Sequence, residues 1–575
     1  MLAGVIRFSL TQRLLVVLAV TLLCAAGWYA YDTTPVDAFP EVSVPQVKII
    51  LKSPGMTPEE VERRITAPLE IELLGIPRQR MLRSVAKYGL TDVTIDFEDG
   101  TDVYWARQQV AERLNGLRDS LPAGITGGIA PLTTPLGEMF MFTIEGGDLA
   151  DRDRRELLDW VIRPALRTVP GVADVNALGG RVRSWEIVPD PVRMASRRVT
   201  HAMLVDALRA NNRDDGAGRL TEGEETLLVR STGAVRELDD VREIVVLEDR
   251  TEPVRIADVA DVRFGSLTRY GAVTRDGVGE AVQGLVLGLR GANAREVVAG
   301  VRARLEEISR TLPDGVHVDV FYDRGELVDR AVGTVRSALL QAVVLVVALL
   351  VLFLGNLRAA LTVALVLPLA ALGTFLLMRA FGMSANLMSL GGLAIAIGML
   401  VDSAVVVTEN VVEELRRTRG GPLPRLHVIY RAARDVARPL GAGTLIIVIV
   451  FLPLLTLQGL EGKLFAPVAI TIVFALASAF LLSLTVIPVV ASLLLSADAG
   501  GGARLAARLE ALYLPLLDRT LRHGRLVVAG AALLLLAAAL AFTQVGKTFM
   551  PTLDEGTLVV QLEKMPSIAL ARSVE

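Results

Sequence analysis

Cysteine is almost missing. Cys24 is the one cysteine in 575 residues, which excludes a disulfide framework and a thiolate metal cluster. Histidine is nearly as sparse. His201, His317, His427 and His523 are scattered without ligand spacing, so a zinc-enzyme reading has no ligand set to stand on. Aromatic residues make up 5% of the chain, and the formal net charge is −3. No basic field marks a nucleic-acid partner. What the chain has in excess is apolar residues. They are 52% of the sequence, and the mean hydropathy is +0.48. The length is too great for a single domain.

The apolar residues come in runs. Residues 1–31 read as a first transmembrane helix, with Arg7 and Arg13 ahead of the apolar stretch 14–31. Residues 32–336 have ordinary soluble composition. The stretch 44–52 alternates like a strand. Thr57, Pro58 and Glu60 then start a helix, with Thr57 as cap and Glu60 closing a capping box. Strands are predicted at 82–87 and 91–97, and a helix at 101–117. That order is a split βαβ unit. A second such unit is predicted around 139–188, with a helix at 151–169 and a strand at 173–178. Further elements follow at 281–289, 294–312 and 317–322.

Residues 337–497 carry five more predicted spans, at about 338–354, 359–378, 386–410, 440–457 and 465–495. A tight turn at 355–358 joins the first two, and Pro368 kinks the second. Residues 498–525 suit an amphipathic helix lying in the membrane interface, and 526–545 a seventh span. Arginine-bearing loops belong inside. With the N-terminus inside, Arg358, the loop 413–438 with its seven arginines, and the 498–525 segment all fall inside. The soluble region 32–336 falls outside. Every loop agrees with this assignment.

The stretch 386–410 stands apart, because it carries Asp402 and Glu409 within a membrane-spanning length. A carboxylate at the bilayer centre costs about 2.5–3.5 kcal/mol on insertion scales. The two acids are seven residues apart, about two helical turns, and so share one face. That face is expected to point into a helix bundle. Residues 546–575 echo the start of the chain: Arg525 opens the seventh span as Arg13 opens the first, Phe549, Met550 and Pro551 end it as Phe39 and Pro40 end the first, and a strand-like stretch follows at 558–562. This reads as the start of a second repeat, of the kind transporters use, and the chain as a partial one.

Six motifs in order carry a family resemblance: FPEVSVPQVKI (39–49), SPGMTPEEVERRITAPLE (53–70), PLGEMFMFTIEG (135–146), PGVADVNALGG (170–180), YDRGELVDRAV (322–332) and LVDSAVVVTEN (400–410). A long stretch, 459–495, continues them. The chain resembles the N-terminal half of an RND (resistance–nodulation–division) transporter of the heavy-metal efflux branch, of copper/silver and cobalt/zinc/cadmium exporter type. The resemblance implies a polytopic α-helical membrane protein with a large periplasmic α+β region, made of ferredoxin-like split βαβ porter subdomains plus a docking subdomain. It implies a homotrimer in the cell inner membrane, joined to a periplasmic adaptor and an outer-membrane channel. No cofactor and no nucleic acid are expected, and the activity is secondary active transport rather than enzymatic: protons enter and metal cations leave.

On that resemblance Asp402 and Glu409 match the family's proton relay. Desolvation favours the protonated form of an acid and a nearby cation the ionised form, so alternating surroundings load and release a proton. Ala396 replaces the further acid of cobalt/zinc/cadmium exporters, which favours the copper/silver group. Ser403 replaces the paired aspartate of multidrug members. Met388 falls where copper/silver members carry a helix methionine. Gln561, six residues after Glu555, replaces their ligand methionine, which leaves the metal open. Met388 and Met399 are the candidate metal-facing residues. For these, as for Met378, Met383, Met139 and Met141, core packing is the competing reading. Competing functions are an RND exporter of organic compounds, a truncated half that does not transport, and a membrane-anchored sensor. The first would want aromatic clefts, and aromatics are few.

Overall fold

The computed structural model describes residues 2–37, 40–134, 136–248, 252–354, 357–418, 422–495, 504–546, 558–565 and 567–575. Phe39, Gly355, Asn356, Arg419, Glu555 and residues 549–551 lie outside them. The chain divides into two compact units. The first comprises Met1–Met139, Gly288–Ala299 and Asp323–Val560; the second comprises Phe140–Leu287, Gly300–Tyr322 and Gln561–Glu575.

In the first unit, strands β1 (Gln46–Lys52), β2 (Gln79–Lys87), β3 (Leu90–Phe97) and β4 (Thr126–Ile129) form one antiparallel sheet in the order β2-β3-β1-β4. Helical segments between β1 and β2 and between β3 and β4 cover one face. This is the ferredoxin-like arrangement of a split βαβ unit. Alternation puts Val47, Ile49, Leu51, Val93, Ile95 and Phe97 into the core beneath the helices. The first helix starts as the sequence predicts. The Glu60 N–H donates to the Thr57 hydroxyl at 3.3 Å, and the Thr57 N–H donates to the Glu60 carboxylate at 3.0 Å.

That helix is not uniform. Pro58–Val61 is followed by a π-turn, Glu62–Thr66, and then by Ala67–Leu73. Pro68 explains it. A proline has no N–H and its ring crowds the carbonyl four residues back. Widening the turn, so that the Ala67 N–H reaches Glu62 O, relieves the clash. The second unit repeats the device: Asp151–Leu157, a π-turn Leu158–Ile162, and Arg163–Leu166 with Pro164.

The second unit is built on β5 (Glu138–Gly146), β6 (Val172–Gly179), β7 (Arg183–Pro189), β8 (Asp214–Glu222), β9 (Glu225–Thr232), β10 (Val245–Leu247), β11 (Val254–Arg255), β12 (Ala260–Ser266), β13 (Val273–Arg275), β14 (Gly279–Gly288) and β15 (Val316–Asp323). Its main sheet runs β13-β14-β5-β15, with β6 also paired to β14. Leaving out the β13 edge, strands β5, β6, β14 and β15 reproduce the topology of the first sheet. Between β6 and β14 sits an insertion with its own core, including Leu204, Val241, Ile256 and Val259. The insertion holds the β7–β12 ladder and the β8–β9 hairpin, whose residues are all exposed.

Seven helices among the described residues are long and apolar enough to cross a membrane. They are α1 (Arg13–Thr33), α2 (Arg324–Leu354), α3 (Leu357–Ala364 continued by Val366–Ala380), α4 (Leu387–Arg417), α5 (Arg425–Leu455), α6 (Gly459–Leu494) and α7 (Gly524–Phe542). The break in α3 lies four residues ahead of Pro368, where the ring meets the carbonyl of Ala364. Several helices run well past the predicted spans. The 413–438 loop is mostly helix, since α4 continues to Arg417 and α5 starts at Arg425. Hydropathy marks the part inside lipid, whereas arginine and glutamate are good helix formers outside it. The amphipathic helix spans Arg504–Arg522. Residues 558–562 do not form the predicted strand; a strand is stable only beside another, and none pairs with it among the described residues.

Small residues set the helix spacing. A Cβ on Gly27 of α1 would lie 2.7 Å from the Cβ of Leu372 in α3, and one on Gly392 of α4 would lie 2.7 Å from Val468 O in α6. Between apolar helices in lipid, close backbone approach replaces the hydrophobic drive. The core of the bundle is formed by residues such as Val363, Leu367, Leu393, Leu400, Val407 and Ile472.

Candidate functional site

Helix α4 is fixed at its start. Asn386 caps it: the side-chain carbonyl accepts from the Met388 N–H at 3.1 Å and from the Ser389 N–H at 3.0 Å. The Asn386 N–H in turn donates to the Ser389 hydroxyl at 2.9 Å. Both side chains are buried. Further along, the Asn410 amide donates to Ala432 O at 2.8 Å and ties α4 to α5.

One face of α4 packs into the bundle through Leu393, Ala396, Leu400, Ala404, Val407 and Val411, all buried. The opposite face is open. Ile395, Gly398, Asp402, Glu409 and Arg416 are exposed along it, at the three-and-four spacing of a helix–helix seam. The structure therefore places the two acids together on one face, about 10 Å apart along the axis at 1.5 Å per residue. It does not bury them within the chain's own bundle, against the expectation that they point inward. The reason is packing: α4 is apolar nearly all round, and its smallest and most apolar ridge takes the contact with α6. Neither Asp402 nor Glu409 has a hydrogen-bond or ion-pair partner among the described residues. One residue before Glu409, the Thr408 hydroxyl is buried without a partner.

The methionines behave differently. Met399 is half-buried and packs against the bundle core. Met388, also half-buried, lies eleven residues earlier, about 16 Å along the axis. The two cannot share one ion. No group of three or more His, Cys, Asp or Glu able to hold a metal occurs among the described residues.

The second unit has a charged cleft of about 390 Å³ lined by Glu145, Arg275, Glu280, His317 and Asp319. Its acids are already paired with arginines. The Arg275 guanidinium donates to Asp319, to the Thr143 hydroxyl at 2.5 Å and to Glu145 at 3.2 Å. The Asp319 hydrogen bond, more than any other contact, raises the pKa of Arg275. Arg269 donates to Glu280 and holds that carboxyl below its usual value. A cation entering here would have to displace an arginine.

Sequence reasoning also missed residues at the outer end of α4. Arg324, buried, pairs with the half-buried Asp37. The Asn386 cap had a legible signal, a short polar residue directly before an apolar run. The Asp37–Arg324 pair had none, because its members are 287 residues apart.

Fold and site together define a polytopic helical membrane protein with a large α+β region and an acid-bearing central helix. The chain belongs to the AcrB/AcrD/AcrF family, whose profile matches residues 5–575. It is 40% identical over 593 residues to the cobalt-zinc-cadmium resistance protein CzcA of Cupriavidus metallidurans, covering 99% of this chain and 55% of the relative. It is 35% identical over 585 residues to the cation efflux system protein CusA of Escherichia coli K12, covering 100% of this chain and 56% of the relative. A crystal structure of a heavy metal efflux pump superposes with a TM-score of 0.85 at 34% identity, over 99% of this chain and 55% of that one. The chain spans about half the length of the curated relatives it matches. The resemblance to the heavy-metal RND branch holds, and with it the fold class.

Proposed function

We propose that the complete protein containing this chain is a proton-driven exporter of heavy-metal cations, a secondary active transporter and not an enzyme. In this reading it lies in the cell inner membrane as a multi-pass protein with its soluble region in the periplasm. It works as a homotrimer with a periplasmic adaptor and an outer-membrane channel. The observation that carries the reading is the pair Asp402 and Glu409 on the open seam of α4. Two unpartnered carboxylates facing lipid would cost about 2.5–3.5 kcal/mol each on insertion scales. A helix from the rest of the longer protein is the fitting cover. Closed in this way, each acid is neutralised by a proton or by a basic group on the covering helix, and exchange between the two moves a proton. The relatives named for cation efflux and for cobalt, zinc and cadmium resistance support a metal cation as cargo.

The test uses the complete protein in cells lacking their own exporters. Metal content is measured after zinc, cobalt, cadmium, copper and silver loading, beside an Asp402→Asn version and the 575-residue chain alone. Export of one metal by the unmodified protein and not by the Asn version is expected. Equal export by the Asn version would sink the proton role. No fall for any metal would point to an organic cargo. Export by the short chain alone would remove the need for a covering helix.

A further inference from the structure

Arginine is almost never fully buried unless paired, and Arg324, the first residue of α2, is 5% exposed. Its guanidinium uses all three of its nitrogens. Nε and Nη2 donate to Asp37 Oδ1 at 3.0 and 2.7 Å, and Nη1 donates to Leu136 O. Asp37 lies in the segment leaving α1. That segment is bonded by backbone to Ala385: the Ala385 N–H donates to Pro35 O at 2.9 Å, and the Asp37 N–H donates to Ala385 O at 3.1 Å. Ala385 directly precedes the Asn386 cap of α4. On the other side, the Leu136 segment is bonded onward. The Gly288 N–H donates to Gly137 O at 2.8 Å, and the Arg290 N–H donates to Leu132 O at 3.2 Å. The Arg290 side chain then donates to Ser43 O at 3.0 Å and Val44 O at 3.3 Å, just ahead of β1.

An unbroken hydrogen-bonded chain thus runs from the first turn of α4, through Asp37 and Arg324, to the segments that enter the soluble strands. Its charge pair is the buried Arg324 with the half-buried Asp37. An ion pair with a buried member is weak evidence for stability, because apolar packing does as well; its best-attested use is to fix one arrangement against another. We infer that Arg324 is a positioning residue for transport: it passes movement of the acid-bearing helix to the soluble segments around Leu136 and Ser43. The inference rests on the proton role of Asp402 proposed above.

The experiment uses the complete transporter with Arg324→Ala, Arg324→Lys and Asp37→Asn, each with and without Asp402→Asn. Export of the metal and hydrogen–deuterium exchange over residues 40–44 and 132–139 are both read. Asp402→Asn alone should change exchange in both segments. In each Arg324 or Asp37 background that change should vanish and export should fall about tenfold, within the usual range of coupling between sites. Protein that is merely destabilised would keep the response to Asp402→Asn. If Arg324→Ala fails to accumulate, Arg324→Lys carries the test, since it keeps the charge and loses the fork. An unaltered exchange response with normal export in Arg324→Lys overturns the inference. So does an Asp402→Asn version that stops export without changing exchange in either segment, and in that case the proton role stands. If Asp402→Asn exports normally, the proton role fails and the transmission falls with it.

Discussion

The open seam of α4 makes two neighbouring glycines behave in opposite ways. Gly392 faces α6, where an added Cβ would sit 2.7 Å from Val468 O and 3.1 Å from Val468 Cα. Ordinary contact begins at 3.4 Å, so α4 and α6 must part by about 0.7 Å (3.4 − 2.7) to admit Gly392→Ala. A radial gap of that size forfeits a quarter to a half of each dispersion contact along the interface, and overpacking of this kind costs about 1–3 kcal/mol. Gly398 is one turn before Asp402 on the open face, and a Cβ there meets nothing within 4 Å in this chain. Judged by this chain, Gly398→Ala is harmless and gains up to about 1 kcal/mol of helix propensity. In the complete transporter the two readings of the seam separate. If a helix covers it, Gly398→Leu wedges the seam and stops export, while Gly398→Ala is felt less. If lipid covers it, both are silent. Tryptophan fluorescence during thermal unfolding in detergent reports stability, and metal accumulation in cells reports export. Gly392→Ala should lower the unfolding temperature and Gly398→Leu should abolish export. Normal export by Gly398→Leu would refute the covered seam. An unchanged melt for Gly392→Ala would refute the tight α4–α6 contact.

Two further outcomes follow from the soluble regions. Thr57→Ala removes the capping box at Pro58–Val61 and should cost about 1 kcal/mol, seen as roughly fivefold faster amide exchange in that turn; unchanged exchange would mean that the cap carries nothing. Glu280 has its pKa lowered in the folded state, chiefly by the hydrogen bond from Arg269, so its contribution to stability is present above the ordinary carboxylate value of about 4.3 and is lost as pH falls through the lower folded value. Glu280→Gln should therefore melt earlier than the unmodified protein at neutral pH, with the gap closing in acid; a gap that widened in acid would reverse the sign of the argument.

Hydropathy made the spans legible, because about 20 apolar residues are needed to cross a bilayer and few other structures tolerate such runs. It could not find the helix ends, since Arg416, Arg417 and the arginines after Arg425 continue helices beyond the apolar part. The strand–helix order showed the first ferredoxin-like unit up to its second helix and missed the closing strand Thr126–Ile129, whose two glycines carry no strand signal. The second was half hidden: β14 and β15 complete its sheet from beyond an inserted subdomain, so nearby residues could not announce the pairing. The spacing of Asp402 and Glu409 fixed that they share a face. Which face it is depends on where Gly392 and Val468 meet, and nothing in 386–410 records that. Arg324 and Asp37 read as ordinary charged residues of soluble stretches until the fold brings α1, α2 and α4 to one point.

The distribution of neutralised and unneutralised charge separates two acidic regions of this chain. In the cleft of the second unit each acid already has an arginine: Asp319 and Glu145 share Arg275, and Glu280 has Arg269. The arginines of that cluster stay charged, because an arginine does not give up its proton. On α4 the position is reversed. Two carboxylates stand on a membrane helix without a partner among the described residues, and a carboxylate kept from water must acquire a proton, a cation or a basic neighbour. These are three interchangeable ways of meeting one demand. Under the proposed function, a covering helix that brings a basic group to the seam in place of the acid's own proton releases that proton, and its withdrawal takes one up. The acids of the cleft find their arginines within the chain, whereas Asp402 and Glu409 find no partner among the described residues.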